Sequence, residues 1–267
     1  MNGFVIVGIL CGVLLLTLTV VVWRVKLSGV SWQAWICYQV AVIHRLIFSR
    51  CVQNNRCTIP EFGPAVIVAN HTSPVDPVLL WTKHFAAFQR PHLRVIGYMM
   101  AREYYEFSCV IRWFCRAMES IPVARNGQDV QPVRQALQRL REGRLLGLFP
   151  EGRLNVTSPD SQLLAGDTGV AWLAVKAGVP VIPVFIHRAP RSDSIFKAFF
   201  VRARSSLTYG TPLDLSAWQG RHCTAEDLAE VTDLIMRSIA ELGSIGYTAI
   251  SAQGTSARKS SGPGPQN

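Results

Sequence analysis

The sequence lacks the motifs that mark several well-known kinds of catalytic and metal site. It has no Gly-x-Ser-x-Gly turn of the kind that exposes a serine nucleophile, and no His-Glu-x-x-His or Cys/His cluster with metal-binding spacing. Its seven cysteines include no Cys-x-x-Cys pair and are odd in number, which favours reduced thiols over a disulfide framework. We therefore expect neither a metal nor another bound cofactor.

Acidic residues are also scarce. The chain carries 27 Lys and Arg residues against 17 Asp and Glu residues, a net charge of +10. Such an excess favours an anionic lipid surface or, second, a nucleic acid as partner. The sequence has no zinc-finger spacing, no aromatic RNA-binding signature and no basic helix of the dimeric DNA-binding types. We expect a membrane lipid and no nucleic acid among the partners.

Charge is absent from one long apolar segment, residues 4–23. Twenty helical residues cover about 30 Å, the thickness of the hydrocarbon core of a bilayer. A secretory signal peptide is the alternative, but no Lys or Arg precedes the segment and no small-residue cleavage site follows it. Arg24 and Lys26 follow instead, and the positive-inside rule then places the rest of the chain on the cytoplasmic face of a membrane.

A second segment, residues 30–48, has apolar residues near helical spacing among polar ones. This pattern predicts an amphipathic helix at the membrane interface, with a helix packed on the domain core as the alternative. Residues 251–267 are rich in Ser, Gly and Pro, which predicts a disordered tail. The sequence thus divides into a membrane anchor with its interfacial helix at 1–50, a single catalytic domain at 51–250, and the tail.

Short apolar runs alternate with helical patterns between the anchor and the tail. This order predicts an α/β fold, a central and largely parallel sheet flanked by helices. The predicted strands are 65–69, 95–98, 120–123, 145–149, 181–186 and, as one long strand or a pair, 199–209. The predicted helices are 77–85, 108–117, 131–141, 169–177 and 224–242. Ligands of such sheets bind beyond the carboxyl ends of the strands.

A histidine and an aspartate follow the first of these strands. His71 and Asp76 lie five positions apart in the loop after 65–69. Imidazole is the side chain best suited to take up a proton near neutral pH, and a nearby carboxylate can fix its tautomer and stabilise its charged form. The pair therefore predicts a general base and its partner. The alternative is structural, because Asp76 followed by Pro77 is also a favoured helix start with Asp76 as the N-cap.

Polar residues follow two further strands. Arg125 comes just after the strand at 120–123, and an arginine fork suits a phosphate group, with an ordinary surface arginine as the alternative. Glu151, Gly152 and Arg153 follow the strand at 145–149 and predict either a ligand site or a turn with a local ion pair. Because the carboxyl ends of parallel strands share one edge of the sheet, we expect these residues to converge on His71.

Taken in order, these segments resemble the four motifs of the glycerolipid acyltransferase family, typified by 1-acylglycerol-3-phosphate acyltransferases. The first motif, Asn-His followed by four residues and Asp, is complete as Asn70, His71 and Asp76. The second is an Ile-Pro-Val-like strand that ends in Arg, the third is Phe-Pro-Glu-Gly and the fourth is Val-Pro-Val-Ile-Pro-Val. They correspond to 121–125, 149–152 and 179–184. The resemblance covers roughly 64–187, nearly half of the chain.

The resemblance implies a membrane-associated acyltransferase. It would transfer a fatty acyl group from acyl-CoA or acyl carrier protein, as co-substrate, to the hydroxyl of a lysophospholipid, above all 1-acylglycerol-3-phosphate (lysophosphatidic acid). His71 would be the general base and Asp76 the group that orients it. The remaining site residues would bind the acceptor or shape its site: Asn70, Arg125, Glu151, Gly152 and Arg153.

The chain departs from the family pattern at two places. The family commonly continues the third motif with Thr-Arg-Ser, where this chain has Arg153-Leu154-Asn155, and many members carry Lys near Asp167. Both changes bear on the acceptor more than on the reaction class. The alternatives are another lyso-acceptor, a thioester or lipid hydrolase with the same His and Asp, and a non-catalytic membrane lipid-binding protein. The sequence predicts no particular acyl-chain length, donor or oligomeric state.

Overall fold

A mixed β-sheet forms the middle of the molecule. The computed structural model describes residues 3–87, 92–124, 130–192 and 194–249, and within them the sheet has seven strands. In chain order they are β1 (Val52–Gln53), β2 (Ala65–Ala69), β3 (Ile96–Ala101), β4 (Ile121–Val123), β5 (Leu145–Leu148), β6 (Val181–His187) and β7 (Ser206–Tyr209). Across the sheet the order is β1-β7-β6-β2-β5-β3-β4, and only the pair β6–β7 is antiparallel. The predicted α/β fold is confirmed.

Helices cover both faces of the sheet. They are α1 (Gly3–Ser28), α2 (Trp32–Ile47), α3 (Asp76–Ala87), α4 (Arg102–Tyr105), α5 (Cys109–Ala117), α6 (Gln131–Arg141), α7 (Thr168–Ala177), α8 (Ile195–Phe200) and α9 (Ala225–Gly243), with a short 3-10 helix at Ser216–Trp218. Buried residues of α2, α3 and α8 contribute to one apolar cluster, and those of α6, α7 and α9 to a second. The functional loops leave the sheet between these two layers.

The central strand β2 shows why the sequence there is continuously apolar. Ala65, Ile67 and Ala69 belong to one cluster, while Val66 and Val68 belong to the other. All five are completely buried, as expected for a parallel strand covered on both faces. Burial of a side chain such as Ile67 contributes about 1.5–3 kcal/mol to the stability of the fold.

The strand predicted over 199–209 is wrong in its first part. Residues up to Phe200 form α8, and only Ser206–Tyr209 joins the sheet as β7. Ala198 of α8 is completely buried in the cluster that contains α2 and α3. Packing of this small side chain against the core outweighs the strand-like pattern of the sequence around it.

The predicted apolar helix at the N-terminus is present as α1. Its segment Val5–Ser28 is the one helix, among the described residues, that is long and apolar enough to cross a membrane. None of that segment's most apolar stretch is buried against the rest of the protein. Such a helix is compatible with membrane association.

The second helix, α2, is amphipathic and packs on the domain core, and its predicted position at a membrane interface stays a prediction. It begins after Ser31, whose hydroxyl accepts a hydrogen bond from the backbone N–H of Ala34. One face packs in the core and the other is exposed and apolar. The core-facing residues are Ala34, Cys37 and Ala41, and the exposed ones include Trp32, Ile36, Val40, Ile43, Leu46 and Ile47.

Candidate active site

Two loops meet at the carboxyl edge of the sheet. β2 and β5 are parallel neighbours, with Val68 opposite Leu148 at their ends. His71 follows β2 by two residues and Glu151 follows β5 by three, so the chain brings both onto the same edge. This confirms the expected convergence for the first and third motifs. Arg125, of the second motif, lies outside the described residues.

His71 and Asp76 are in direct contact. The Nδ1 atom of His71 lies 3.0 Å from Oδ2 of Asp76, and the carboxylate is completely buried while the imidazole is 20% exposed. The same Oδ2 accepts hydrogen bonds of 2.8 Å from the backbone N–H groups of Thr72 and Ser73. Three donors therefore hold one carboxylate oxygen in a fixed position below the imidazole.

These contacts decide between the two interpretations of Asp76. The residue is the first of α3, but its carboxylate accepts from the preceding loop and from His71 rather than from the first turn of the helix. The N-cap interpretation of Asp76 is therefore wrong. The loop is fixed further by the Ser73 hydroxyl, which accepts from the Val75 N–H at 3.1 Å and donates to the carbonyl of Pro190.

The carboxylate also fixes the tautomer of His71. A carboxylate facing a ring nitrogen can only accept, so Nδ1 carries the proton and Nε2 keeps its lone pair. The imidazole stacks on the ring of Phe149, with ring centroids 4.0 Å apart and an angle of 14° between the planes. Phe149 in turn stacks on Tyr98 at 5.6 Å and 10°. The plane of the imidazole is thus fixed by Phe149, which Tyr98 supports from behind, and its rotation is fixed by Asp76.

Glu151 joins the two loops through the backbone. Its Oε1 accepts from the N–H of His71 at 2.9 Å, and its Oε2 accepts from the N–H of Leu164 at 2.9 Å. The side chain is buried, and this burial raises the pKa of Glu151, against the opposing effect of the two backbone hydrogen bonds and of His71. The carboxylate thus holds the loop that carries His71 against the segment that contains Leu164. A contact between Glu151 and substrate stays a prediction.

Asn70 performs a similar task on the other side of β2. Its Nδ2 donates to the carbonyl of Ile186 at 3.0 Å, and its Oδ1 accepts from the N–H of the same residue at 2.7 Å. The carbonyl of His71 accepts from the N–H of Asn155 at 2.7 Å. The loop that carries the histidine is therefore tied to β6 and to the segment after β5, while the predicted substrate contact of Asn70 stays a prediction.

Gly152 and Arg153 occupy the turn after β5. Gly152 has φ +65°, a conformation that side chains rarely adopt, and its N–H donates to the carbonyl of Phe149 at 3.0 Å. Arg153 is exposed next to it. The turn thus combines an open backbone with a cation in the segment that contacts the loop of His71, and its role in binding a substrate stays a prediction.

Asp167, one of the two departures from the family pattern, has a structural role. It is the N-cap of α7, its Oδ1 accepting from the N–H of Gly169 at 2.7 Å, and its own N–H donates to the carbonyl of Pro150 at 2.7 Å. A cap of this kind contributes about 1 kcal/mol. Asp167 therefore fixes the start of α7 against the turn of the third motif.

The sequence reasoning missed Arg191. This residue follows β6, the strand of the fourth motif, and forms two hydrogen bonds with the carboxylate of Asp160, at 2.6 and 2.8 Å. That hydrogen bonding, against the effect of burial, raises the pKa of Arg191, and the charge on Asp76 contributes to the same rise. Arg191 directly follows Pro190, whose carbonyl accepts a hydrogen bond from the hydroxyl of Ser73 in the loop that carries His71. Its position after a strand at the shared edge was the available signal.

The fold matches a solved acyltransferase. The crystal structure of the 1-acyl-sn-glycerophosphate (LPA) acyltransferase PlsC from Thermotoga maritima aligns with a TM-score of 0.58 and 22% sequence identity, and covers 78% of this chain and 79% of that one. At this identity the likeness shows a shared fold.

The family follows from the sequence comparison. The family model described as Acyltransferase matches residues 50–187, which include the strands and loops of the site. The chain belongs to this acyltransferase family and is an enzyme of the acyl-transferring class.

Two relatives differ in what they are named for. A 1-acyl-sn-glycerol-3-phosphate acyltransferase of Bacillus subtilis (strain 168) is 27% identical over 188 residues, 70% of this chain and 85% of the relative. An N-acylphosphatidylethanolamine synthase of Arabidopsis thaliana is 30% identical over 132 residues, 48% of this chain and 45% of the relative. One name specifies 1-acyl-sn-glycerol-3-phosphate, a lysolipid, and the other an N-acylated phospholipid product.

Proposed function

We infer that this protein transfers a fatty acyl group from acyl-CoA or acyl carrier protein to the free hydroxyl of 1-acylglycerol-3-phosphate, giving phosphatidic acid. The observation that carries the proposal is the contact of 3.0 Å between His71 Nδ1 and Asp76 Oδ2, which leaves Nε2 as the proton acceptor. The likeness to the Bacillus subtilis relative supports the choice of acceptor.

The mechanism needs one base and no covalent acyl-enzyme. Nε2 of His71 takes the proton of the acceptor hydroxyl as its oxygen attacks the thioester carbonyl. The carbon–sulfur bond then breaks, and the imidazolium returns the proton to the departing thiolate. Asp76 stabilises the imidazolium while it exists, and base catalysis of this kind contributes about 10²–10⁴-fold to the rate. The thioester supplies the activated acyl group, so the proposal requires no cofactor.

Cations near the pair would bind the acceptor phosphate. Arg153 lies in the turn after β5, and Arg191 lies in the loop after β6, held by Asp160. Arg125 is assigned to the same phosphate by the family resemblance. Arginine suits this role because its planar fork matches two phosphate oxygens.

The lipid substrate agrees with a membrane location. Val5–Ser28 is long enough to span a bilayer, and Arg24 and Lys26 lie at its carboxyl-terminal end. The positive-inside rule places that end, and the domain that follows, on the cytoplasmic face. Both lysophosphatidic acid and phosphatidic acid reside in the bilayer, so an anchored enzyme meets its substrate at the surface.

The reaction is tested with purified protein, labelled acyl-CoA and lysophosphatidic acid. Wild type should form phosphatidic acid, and His71→Ala should form it at least about 100-fold more slowly. His222→Ala is the matched control, because His222 is exposed and precedes α9 outside the site. Unchanged circular dichroism and thermal unfolding would show that the variants are folded. No product from wild type with either acyl-CoA or acyl carrier protein would exclude this acceptor.

An aminolipid acceptor is the second candidate function. It is favoured by the name of the Arabidopsis thaliana relative. The same assay with phosphatidylethanolamine in place of lysophosphatidic acid separates the two, because an N-acylated product appears only if an amine is accepted. Release of free fatty acid without either product would identify a hydrolase.

The orientation is tested by labelling in cells. Cys109 is exposed in the domain, whereas Cys11 lies in the apolar segment of α1. A variant that keeps Cys109 as its only cysteine should react with a membrane-impermeant maleimide only after the membrane enclosing the cytoplasm is opened. Reaction in intact cells lacking an outer barrier would place the domain on the opposite face.

A further inference from the structure

A strongly basic pocket lies apart from the His71 loop. It is a cavity of about 420 Å³ between the end of α2 and the segment after α8. Three arginines line it, Arg50, Arg202 and Arg204, together with apolar side chains from the last turn of α2. We call this the basic pocket.

Backbone pairing holds the three arginines together. Ala203 forms an isolated parallel bridge with Ser49, in which its N–H donates to the carbonyl of Phe48 at 3.0 Å and its carbonyl accepts from the N–H of Arg50 at 3.0 Å. Arg202 and Arg204 flank the bridge, two positions apart in an extended segment, so their side chains share one side of it. The pocket therefore brings together two segments, around residues 50 and 203, that lie about 150 positions apart in the sequence.

The positive charge of the pocket has no compensating acid among the described residues. All three arginines are exposed, and none forms a salt bridge or a side-chain hydrogen bond with any residue in the described parts of the chain. Other exposed arginines do find acids, as Arg191 does with Asp160 and Arg221 with Asp227. Three like charges around one cavity repel each other unless an anion occupies it, and arginine is the side chain best suited to phosphate.

Apolar side chains border the charged cavity. Leu46 and Ile47 are 67% and 52% exposed, and Phe200 is 68% exposed. Phe200 meets Phe48 edge to face, with ring centroids 5.6 Å apart. The exposed face of α2 continues the same apolar surface away from the pocket. A phosphate-binding cavity beside an apolar surface matches a lipid, whose headgroup is anionic and whose chains are not.

The basic pocket is close to the catalytic edge but separate from it. Ser206, which begins β7, lies opposite His187, which ends β6, so the pocket is on the same edge of the sheet as the His71 loop. β7 is two strands from β2, a distance of roughly 10 Å at ordinary strand spacing.

From these observations we propose that the basic pocket binds the phosphate headgroup of an anionic membrane phospholipid that is not the substrate. Bound there, the lipid seats the catalytic edge of the sheet on the bilayer. This inference rests on the proposed membrane location and is independent of which acceptor the enzyme uses.

The test measures binding of a short-chain phosphatidylmethanol to the detergent-solubilised full chain. This lipid is anionic but has no free hydroxyl or amine, so it cannot serve as an acyl acceptor. Wild type is compared with the triple variant Arg50→Gln, Arg202→Gln, Arg204→Gln. The matched control removes three exposed arginines from the opposite layer, Arg134→Gln, Arg141→Gln and Arg237→Gln. We expect at least about tenfold weaker binding in the first triple variant and less than about threefold in the control.

Further probes decide what kind of anion the pocket takes. Short-chain phosphatidylcholine, glycerol phosphate and a short oligonucleotide are measured against the same variants. The proposal requires that phosphatidylmethanol bind more tightly than all three. Equal binding of glycerol phosphate would identify a free-phosphate site, and equal binding of the oligonucleotide a nucleic-acid site, and either would overturn it. Equal losses in the two triple variants would overturn it as well.

A kinetic comparison separates this pocket from the acceptor site. In detergent, with the acceptor that supports turnover, the basic-pocket triple variant should keep the KM of wild type within about twofold. A tenfold higher KM would make the three arginines part of the substrate site and would overturn the proposal. The binding measurement uses no acyl donor, so it tests the lipid site even if the proposed reaction fails.

Discussion

Gly147 packs directly against the ring of Tyr98, which belongs to the stack of rings under His71. A Cβ atom at this position would lie 2.2 Å from Cε1 of Tyr98 and 2.6 Å from its Cδ1. Tyr98 stacks on Phe149, and Phe149 stacks on His71. The methyl group added by Gly147→Ala should therefore displace a stack of three rings, the last of which is the imidazole of His71.

The size of the effect follows from these distances. Ordinary contact between carbon atoms begins at about 3.5 Å, so the tyrosine ring must move by about 1 Å or more. Tyr98 is only 6% exposed and has no route into solvent. Overpacking of this kind costs about 1–3 kcal/mol of stability, and a displacement of about 1 Å at a reacting group can cost about 10²-fold in rate. We expect Gly147→Ala to lose stability in this range and to lower kcat by about 10- to 100-fold with little change in KM.

Chemical denaturation and steady-state kinetics measure the two losses separately. A double-mutant cycle supplies the control, because Tyr98→Leu removes the ring atoms that the new methyl group would meet. In the Tyr98→Leu background the same Gly147→Ala change should cost much less stability. Equal losses in both backgrounds, or a Gly147→Ala variant as stable and active as wild type, would refute the proposed link between this packing and the site.

Three further predictions concern charged groups. Asp76→Asn should lower kcat by about 10²–10⁴-fold, because the amide cannot stabilise the imidazolium; a loss below about tenfold in the acyl-transfer assay would contradict the assigned role. Burial raises the pKa of Glu151, so its stability contribution is full below the unfolded-state pKa and is lost as pH rises through the folded-state value. In urea unfolding, wild type should therefore lose stability relative to Glu151→Gln as the pH rises above about 4.3, the ordinary pKa of the unfolded-state carboxyl, and a constant difference would contradict this. Arg191→Gln should raise the KM for lysophosphatidic acid about tenfold yet change the free energy of unfolding by less than about 1 kcal/mol, whereas Asp160→Asn should leave that KM unchanged.

The parallel core of the fold was predictable because its signal is local. A strand covered on both faces must be apolar at every position, and residues 65–69 satisfy this condition in sequence and in structure. The helix predicted at 224–242 is present as α9 for the same reason, since Thr224 and Asp227, three positions apart, form a capping box at its start. The first part of 199–209 was not, because the burial of Ala198 depends on α2 and α3, far away in the chain.

The chemistry of the site was predictable from the sequence, but the contacts made by each of its residues were not. The spacing of His71 and Asp76 suggested a base and its partner, yet the same residues fitted a helix cap until the loop geometry was known. The sequence carries no sign that both oxygens of Glu151 accept from backbone N–H groups, one of them at Leu164 in a separate loop. Side chains that bond to the backbone of a distant segment leave no periodic pattern from which that bond can be inferred.

Asp167 departs from the family pattern, and the structure shows that its role is in the fold. Taken alone, an acid near the position where many relatives carry Lys argues against a phosphate-bearing substrate. In the structure the carboxylate is turned to the N-terminus of α7, where it caps the helix. Arg191, on the loop after β6, follows Pro190, whose carbonyl accepts a hydrogen bond from Ser73 in the loop that carries His71 and Asp76. We therefore expect the positive charge for the acceptor phosphate to come from the loop that follows the fourth motif rather than from the segment that precedes α7.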